Sequence, residues 1–265
     1  MSKNTAFEGD WGVNKDLMNV YLNECILAVD DLTNFKRGRG FSKIVGNDLR
    51  MESVARSFMN YLRVNFPELI SRVDLFKAND IYGAPNIYKL YGVDISPGTL
   101  RYMKVLSDVI HFEPQSVVEI GSGYGGQALV ITKWFEDAQY TLIDLQEPLS
   151  LAKHYLNQTC PGGNFVYFST DDIDVRNYDL VISDYCLSEF DEEGVDFYVN
   201  HVIKHCKYGY FSVNVPEGKR RNYLLTRLWE VFDEVKVKDE YPKTSPHPNI
   251  AITCSGNRVL HCERD

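Results

Sequence analysis

Apolar positions in the first part of the chain recur with a helical spacing. In about the first 78 residues they return every three or four positions, as at Val54, Phe58 and Leu62, which predicts helices with one buried face. A later helix is predicted to begin after Ser96, with Pro97 as its first residue, because serine caps helix N-termini and proline is tolerated in the first turn. Residues 1–110 are therefore expected to be mainly helical.

From Ser116 onward, short runs rich in Val, Ile, Tyr and Phe alternate with amphipathic segments. This alternation predicts right-handed β-α-β units and a parallel sheet covered on both faces. The last two strand-like segments have no helix between them and should form an antiparallel hairpin at the sheet edge. The predicted fold is therefore α/β and Rossmann-like, with seven mostly parallel strands and an antiparallel C-terminal hairpin. The predicted strands are 116–121, 140–145, 164–169, 179–184, 208–215, 234–241 and 249–255, and the predicted helices lie near 125–135, 148–158, 193–206 and 219–232.

A glycine-rich turn follows the first strand of this pattern, in the stretch SVVEIGSGYGG from Ser116 to Gly126. Gly121, Gly123 and Gly126 lack the Cβ atoms that would keep a backbone from turning sharply against a small molecule. Dehydrogenases and methyltransferases both use such a turn. The glycines alone therefore predict only a nucleotide-like ligand.

Carboxylates at the ends of three predicted strands narrow the choice of ligand. Glu119 stands where a dehydrogenase usually keeps an apolar residue, and an acidic group there suits a ligand with a cationic amino-acid end, such as S-adenosylmethionine. Asp144 ends the second strand at a spacing that favours hydrogen bonds from ribose hydroxyls. After the third strand, Asp172 is favoured for the position where methyltransferases contact the adenine amino group, with Ile173 on the base, and Asp171 remains an alternative.

Several stretches of the sequence, separated along the chain, match motifs of one protein family. They are NDIYGAP from Asn79, SPGTLRYMKVL from Ser96, VVEIGSGYGG, YTLIDLQEPLSLAKHYL, YDLVISDYCLSEF at 178–190, GYF at 209–211 and the HPN before the last strand. Over about residues 79–256 the chain resembles the class I S-adenosylmethionine-dependent methyltransferases and, within them, the bacterial sugar O-methyltransferases. It departs from them at Asp184-Tyr185, where members tend to have Asn-Tyr, so the charge beside the transferred methyl differs.

The resemblance implies the methyltransferase version of the fold and S-adenosylmethionine as cofactor. The residues assigned to the cofactor are Tyr102, Glu119, Gly121, Ser122, Gly123, Tyr124, Gly126, Asp144, Leu145, Asp171, Asp172, Ile173 and Ser183. The acceptor is assigned to Tyr82, Arg101 and Tyr185. For Arg101 and Tyr102, an ordinary surface arginine and a core tyrosine remain alternatives.

A general base would help the transfer, because a sugar hydroxyl is a weak nucleophile at neutral pH. Asp184 ends the fourth predicted strand, Glu189 follows it, and His247 lies in the predicted hairpin loop. These three are the catalytic candidates, and the sequence does not choose among them. The acidic residues show no spacing diagnostic of a cation site, so no metal is predicted.

Composition and charge limit the partners. A net charge of −9 argues against a general nucleic-acid binder. The first residues lack a signal peptide, and no segment approaches the roughly 18 apolar residues of a membrane helix, so a cytoplasmic location without membrane insertion is expected. The basic segment FKRGRGF, Phe35 to Phe41, is interpreted as a solvated loop in preference to a contact with an anionic ligand.

These observations predict an S-adenosylmethionine-dependent O-methyltransferase for a sugar, or a sugar-like phosphorylated intermediate, of bacterial capsular or lipopolysaccharide synthesis. An NAD(P)-dependent oxidoreductase and a non-catalytic S-adenosylmethionine-binding module are the alternatives. The expected partner is a small-molecule acceptor, and a homodimer stays open. Residues 1–110 should form a helical region covering the active site, and residues 111–265 the catalytic domain.

Overall fold

Helices dominate the chain before the large sheet, as the apolar spacing predicts. The structure is a computed structural model that describes residues 15–45, 52–214, 217–244 and 248–262. No described helix has both the length and the apolar character needed to cross a membrane. The elements of this part are α1 (Lys15–Asp30), α2 (Arg39–Ile44), α3 (Glu52–Asn65), α4 (Pro67–Ser71), α5 (Val73–Phe76), the antiparallel pair β1 (Tyr88–Leu90) and β2 (Val93–Ile95), and α6 (Pro97–Val109).

A seven-stranded sheet follows, with the order β5-β4-β3-β6-β7-β9-β8. All neighbours are parallel except β9, which is antiparallel to both β7 and β8. The predicted Rossmann-like fold with an antiparallel terminal hairpin is therefore confirmed. Its elements are β3 (Ser116–Ile120), α7 (Gly126–Trp134), β4 (Gln139–Asp144), α8 (Gln146–Thr159), β5 (Phe165–Ser169), β6 (Tyr178–Asp184), α9 (Glu192–His201), β7 (Cys206–Val213), α10 (Lys219–Val231), β8 (Phe232–Asp239), β9 (Ile250–Asn257) and α11 (Arg258–Cys262).

One predicted helix is shorter than its sequence pattern suggests. The helix expected over 193–206 ends at His201, and β7 already begins at Cys206. Cys206 is fully buried and pairs with Tyr178 of β6, while Asn257 donates a side-chain hydrogen bond to its backbone oxygen at 2.6 Å. Pairing within the sheet therefore overrides the local helical pattern.

Helix α6 is largely buried and lies between the N-terminal helices and the sheet. Ser96 caps it as predicted, since its Oγ accepts a hydrogen bond from the Thr99 amide at 3.1 Å. Leu100 and Met103 on the predicted apolar stripe are fully buried. Arg101 lies on another side of the helix and is also buried, with 8% of its surface exposed. Arg101 is therefore not an ordinary surface arginine.

The basic segment Phe35 to Phe41 differs from the solvated loop expected. Lys36 is only 5% exposed, and its ammonium group lies 4.8 Å from the centre of the Tyr124 ring while donating to the backbone oxygen of Asn79. Burial lowers the pKa of Lys36 to about 7. The prediction is wrong for Lys36, because the rings of Tyr124 and Tyr155 cover its side chain, whereas Arg37 and Arg39 are exposed as expected.

Candidate active site

A pocket of about 410 Å³ opens where β3, β4 and β6 end, at the edge of the sheet where the predicted carboxylates meet. Its lining combines these strand ends with residues of α1 and α2, and with Asn214 after β7. Clefts at this edge are the usual ligand sites of open α/β sheets. The predicted residues that line it are Arg101, Tyr102, Glu119, Gly121, Ser122, Gly123, Asp144, Leu145, Asp184, Tyr185 and Glu189.

The glycine turn forms one wall of this pocket. Gly121 and Gly123 have φ angles of 79° and 54°, in the left-handed region that side chains with a Cβ avoid. A Cβ on Gly121 would also lie 2.4 Å from the Cβ of Cys186. Gly126 is the first residue of α7 and packs against the rings of Tyr102 and Tyr124. The residue before it, Gly125, is the one with a left-handed backbone.

Asp144 is held by the turn that it faces. Its Oδ2 accepts from the Gly123 amide and its Oδ1 from the Leu145 amide, both at 2.7 Å. Burial raises the pKa of Asp144 to about 6, although these two hydrogen bonds act in the opposite direction. Each carboxylate oxygen can accept more than one hydrogen bond. The side chain is thus oriented and still able to accept hydrogen bonds from ligand hydroxyls.

Glu119 places a carboxyl group at the bottom of the pocket. It is 2% exposed, and the hydroxyl of Tyr140 donates to its Oε2 at 2.9 Å. Burial raises the pKa of Glu119 well above its usual range, and the nearby carboxylates of Asp184 and Asp144 add to this effect. A cationic group beside Glu119 would favour its ionised form. The pocket is therefore suited to a ligand with a positive charge at this end.

Buried polar atoms without hydrogen-bond partners cluster in the pocket lining. Arg101 and Asp184 are both buried and form an ion pair of 3.5 Å, and Arg101 Nη2 donates to the backbone oxygen of Val45 at 3.2 Å. A buried polar group left unpaired costs roughly 1–3 kcal/mol, so a ligand that pairs with these atoms would stabilise the fold. Within the described part of the chain, the buried atoms in the lining that make no hydrogen bond are Arg101 Nε, Ser122 Oγ, Gln127 Oε1 and Asp184 Oδ2, the last of which has only its ion pair with Arg101.

Tyr185 connects the end of β6 to the loop of the C-terminal hairpin. Its φ of 69° is left-handed, a conformation that costs a non-glycine residue about 1–3 kcal/mol and persists only when the surroundings enforce it. Its hydroxyl hydrogen-bonds to Glu240 and lies 3.0 Å from Thr244 Oγ1. Asn249 donates to Glu240 at 3.0 Å. The prediction for His247 lies outside the described residues.

Glu189 ends a 3-10 turn, Leu187–Glu189, at the rim of the pocket. Burial raises the pKa of Glu189 to about 7, and a hydrogen bond with the Asn214 side chain limits the rise. Ser183 does not line the pocket, but its Oγ accepts from the Leu187 amide at 3.0 Å and so supports the turn. Glu189 can therefore exchange a proton near neutral pH.

Several other predicted residues are not part of the pocket lining. Asp171 and Asp172 are exposed, and the lining residue at this strand end is Thr170. Among the described residues, the predicted ones outside the lining are Tyr82, Tyr124, Gly126, Asp171, Asp172, Ile173 and Ser183. Their functional assignments stay predictions.

Sequence reasoning missed the lining residues that come from the N-terminal helices. Met18 and Tyr21 of α1 and Ile44 of α2 all reach the pocket. The apolar spacing of α1 marks Tyr21 as a buried position, but this signal does not distinguish a pocket wall from the core. Gln127 has the stronger signal, because a glutamine in the apolar first turn of α7 is unusual for a buried helix.

No family model matches the chain, and no curated protein matches it. Among solved structures, a candidate O-methyltransferase from Nostoc punctiforme aligns with 58% of this chain and 55% of its own, at 13% identity and a TM-score of 0.47. An O-methyltransferase family protein from Burkholderia thailandensis covers 60% of this chain and 58% of its own, with 11% identity and a TM-score of 0.44. Magnesium protoporphyrin IX methyltransferase from Synechocystis with bound S-adenosylmethionine aligns with 59% of this chain and 78% of its own, at 14% identity and a TM-score of 0.49.

Proposed function

We propose that this chain is an S-adenosylmethionine-dependent O-methyltransferase. The observation that carries the proposal is the pocket at the ends of β3 and β4, which Glu119 and Asp144 line together with a left-handed glycine turn. A ligand with a cationic amino-acid end and a ribose matches both carboxyl groups. The unpartnered atoms of Ser122 and Gln127 would be satisfied by the same ligand.

S-adenosylmethionine, when bound, supplies an electrophilic methyl group on a positively charged sulfur. The residues of this chain would orient the acceptor and remove its proton. Asp184, held by Arg101, would accept a hydrogen bond from a second hydroxyl of the acceptor, next to the one that is methylated. Glu189, whose pKa burial raises to about 7, would take up the proton of the methylated hydroxyl on a carboxylate oxygen. His247 remains a second candidate for this task.

We also propose that residues 1–110 form a region that covers the active site of a catalytic domain formed by residues 111–265. Met18, Tyr21 and Ile44 support this division because they line the pocket from α1 and α2. Apolar and aromatic side chains over a site of group transfer keep water away from the reacting groups. Water would otherwise compete with the acceptor hydroxyl.

The acceptor is proposed to be a sugar, or a sugar-like phosphorylated intermediate of bacterial surface polysaccharide synthesis. Support for this acceptor comes from the resemblance carried by SPGTLRYMKVL and YDLVISDYCLSEF. The first segment forms most of α6 and supplies Arg101 to the pocket. The second forms β6 and the turn after it, and supplies Asp184 and Glu189.

Mass spectrometry tests the reaction directly. The chain would be incubated with S-adenosylmethionine and a panel of nucleotide sugars and sugar phosphates, and one panel member should gain the mass of one methyl group. Glu189→Gln should reduce the rate by about a hundredfold or more, while Glu193→Gln, at an exposed position of α9, should not. If the chain binds S-adenosylhomocysteine but methylates no panel member, a non-catalytic binding module would be favoured instead.

A further inference from the structure

A second cavity of about 550 Å³ adjoins the active-site pocket. It lies between α6 and one face of β7, β9 and β8, and we call it the side groove. The two cavities share Arg101, Asp184 and Tyr185 in their linings. A molecule in the side groove would therefore reach the residues proposed to hold a hydroxyl of the acceptor.

Strand register places a row of residues along the floor of the side groove. Asp184 pairs with Ser212, Ser212 with Ala251, and Ala251 with Lys238, and all four line the groove. Paired residues point to the same face of a sheet. Three interstrand spacings separate the ends of the row, so the α-carbons of Asp184 and Lys238 lie about 14 Å apart.

The far end of the row carries two lysines, with the carboxylates of Glu234 and Asp239 beside them in the groove lining. Lys236 and Lys238 alternate on the groove face of β8, and both are exposed. Lys236 is paired with Glu234 at 2.9 Å. The pKa of His111, on the facing wall, is lowered by burial and then by these two lysines, although Asp108 acts in the opposite direction. The two lysine charges therefore act within the groove and not only on solvent.

Aromatic rings line the walls between the two ends. The Phe112 ring stacks on Tyr208 with centroids 4.4 Å apart, and Tyr61 meets Tyr241 edge-on at 5.7 Å. All four rings line the groove. Flat apolar rings beside polar groups are a common way to hold a ligand that has both apolar faces and hydroxyls.

We propose that the side groove binds the acceptor, and that this acceptor is a polyhydroxylated molecule with an anionic group. The hydroxyl next to its target hydroxyl lies at Asp184, and its phosphate or carboxylate lies at Lys236 and Lys238. The span of the row exceeds one sugar ring and suits a sugar extended by a phosphate-linked group or by a second, acidic sugar. This inference rests on the proposed function, because it assigns the hydroxyl end to the methyl-transfer pocket.

Calorimetry with three probes tests the inference. UDP-glucose, the disaccharide glucosyl-glucuronic acid and glucose would each be titrated into the chain saturated with S-adenosylhomocysteine. The first two should bind at least tenfold more tightly than glucose, and comparing them separates phosphate from carboxylate. The variant Lys236→Ala/Lys238→Ala should weaken the anionic probes roughly fivefold or more and leave glucose unchanged.

Two controls separate charge from structure. Lys236→Arg/Lys238→Arg should keep the preference for anionic probes, and Lys153→Ala, at an exposed position of α8, should bind every probe like the parent chain. The inference is overturned if the double alanine variant binds the anionic probes normally, if glucose binds equally well, or if no probe binds to the loaded chain. Failure of S-adenosylhomocysteine to bind, with the anion preference retained, would instead count against the proposed function.

Discussion

Replacing Glu189 by glutamine should make the chain more stable at alkaline pH. Burial raises the pKa of this carboxyl from an ordinary value of 4.5 to about 7. The folded state therefore holds the proton more tightly than the unfolded state, and the parent chain loses stability as the pH rises from about 4.5 through 7. The gap of about 2.5 units between the two pKa values corresponds to about 3 kcal/mol.

Glutamine cannot ionise, so Glu189→Gln should avoid this loss. Urea unfolding should show the variant more stable by about 3 kcal/mol at pH 8.5, and by less than about 1 kcal/mol at pH 5. In thermal unfolding the alkaline difference corresponds to about 5 to 10 °C. Glu193→Gln, at an exposed position of α9, should show no such pH dependence. A stability difference for Glu189→Gln that is equal at both pH values would refute the assignment of a buried, proton-binding carboxyl.

Two further variants test the walls of the pocket. Asp144→Ala should weaken S-adenosylhomocysteine at least tenfold in calorimetry, because it removes an oriented acceptor of hydroxyl hydrogen bonds, whereas Asp137→Ala, at an exposed position before the same strand, should bind normally. Gly121→Ala should lower the free energy of unfolding more than Gly162→Ala. Both glycines are left-handed, but only at Gly121 does the new Cβ meet Cys186; equal losses in urea unfolding would show that this contact relaxes at no cost.

The order of strands and helices was predictable because the signals for it are local. Alternating apolar runs, Ser96 with Pro97 and the missing helix before the last strand all lie within short windows. The end of α9 was not predictable in this way. The helix ends at His201 because β7 begins at Cys206, where Cys206 pairs with Tyr178 of β6. The sequence around Cys206 alone does not predict this pairing.

The position of Glu119, Asp144 and Asp184 at one pocket followed from topology, since parallel strands bring their carboxyl ends to one edge of a sheet. Contacts between segments distant in sequence could not be predicted from this topology. The ion pair between Arg101 and Asp184 joins α6 to β6, and the burial of Lys36 depends on rings from other parts of the chain. The side groove depends on the register of four neighbouring strands, which the sequence pattern leaves open.

Calorimetric titration of the parent chain with S-adenosylhomocysteine, repeated in two buffers with different enthalpies of ionisation, tests the central claim most directly. One molecule should bind per chain. Protons should be released to the buffer, because the cationic amino group of the ligand would favour the ionised form of Glu119, whose pKa burial raises well above its usual range. Absence of binding would contradict the account, and binding without proton release would contradict the role of Glu119.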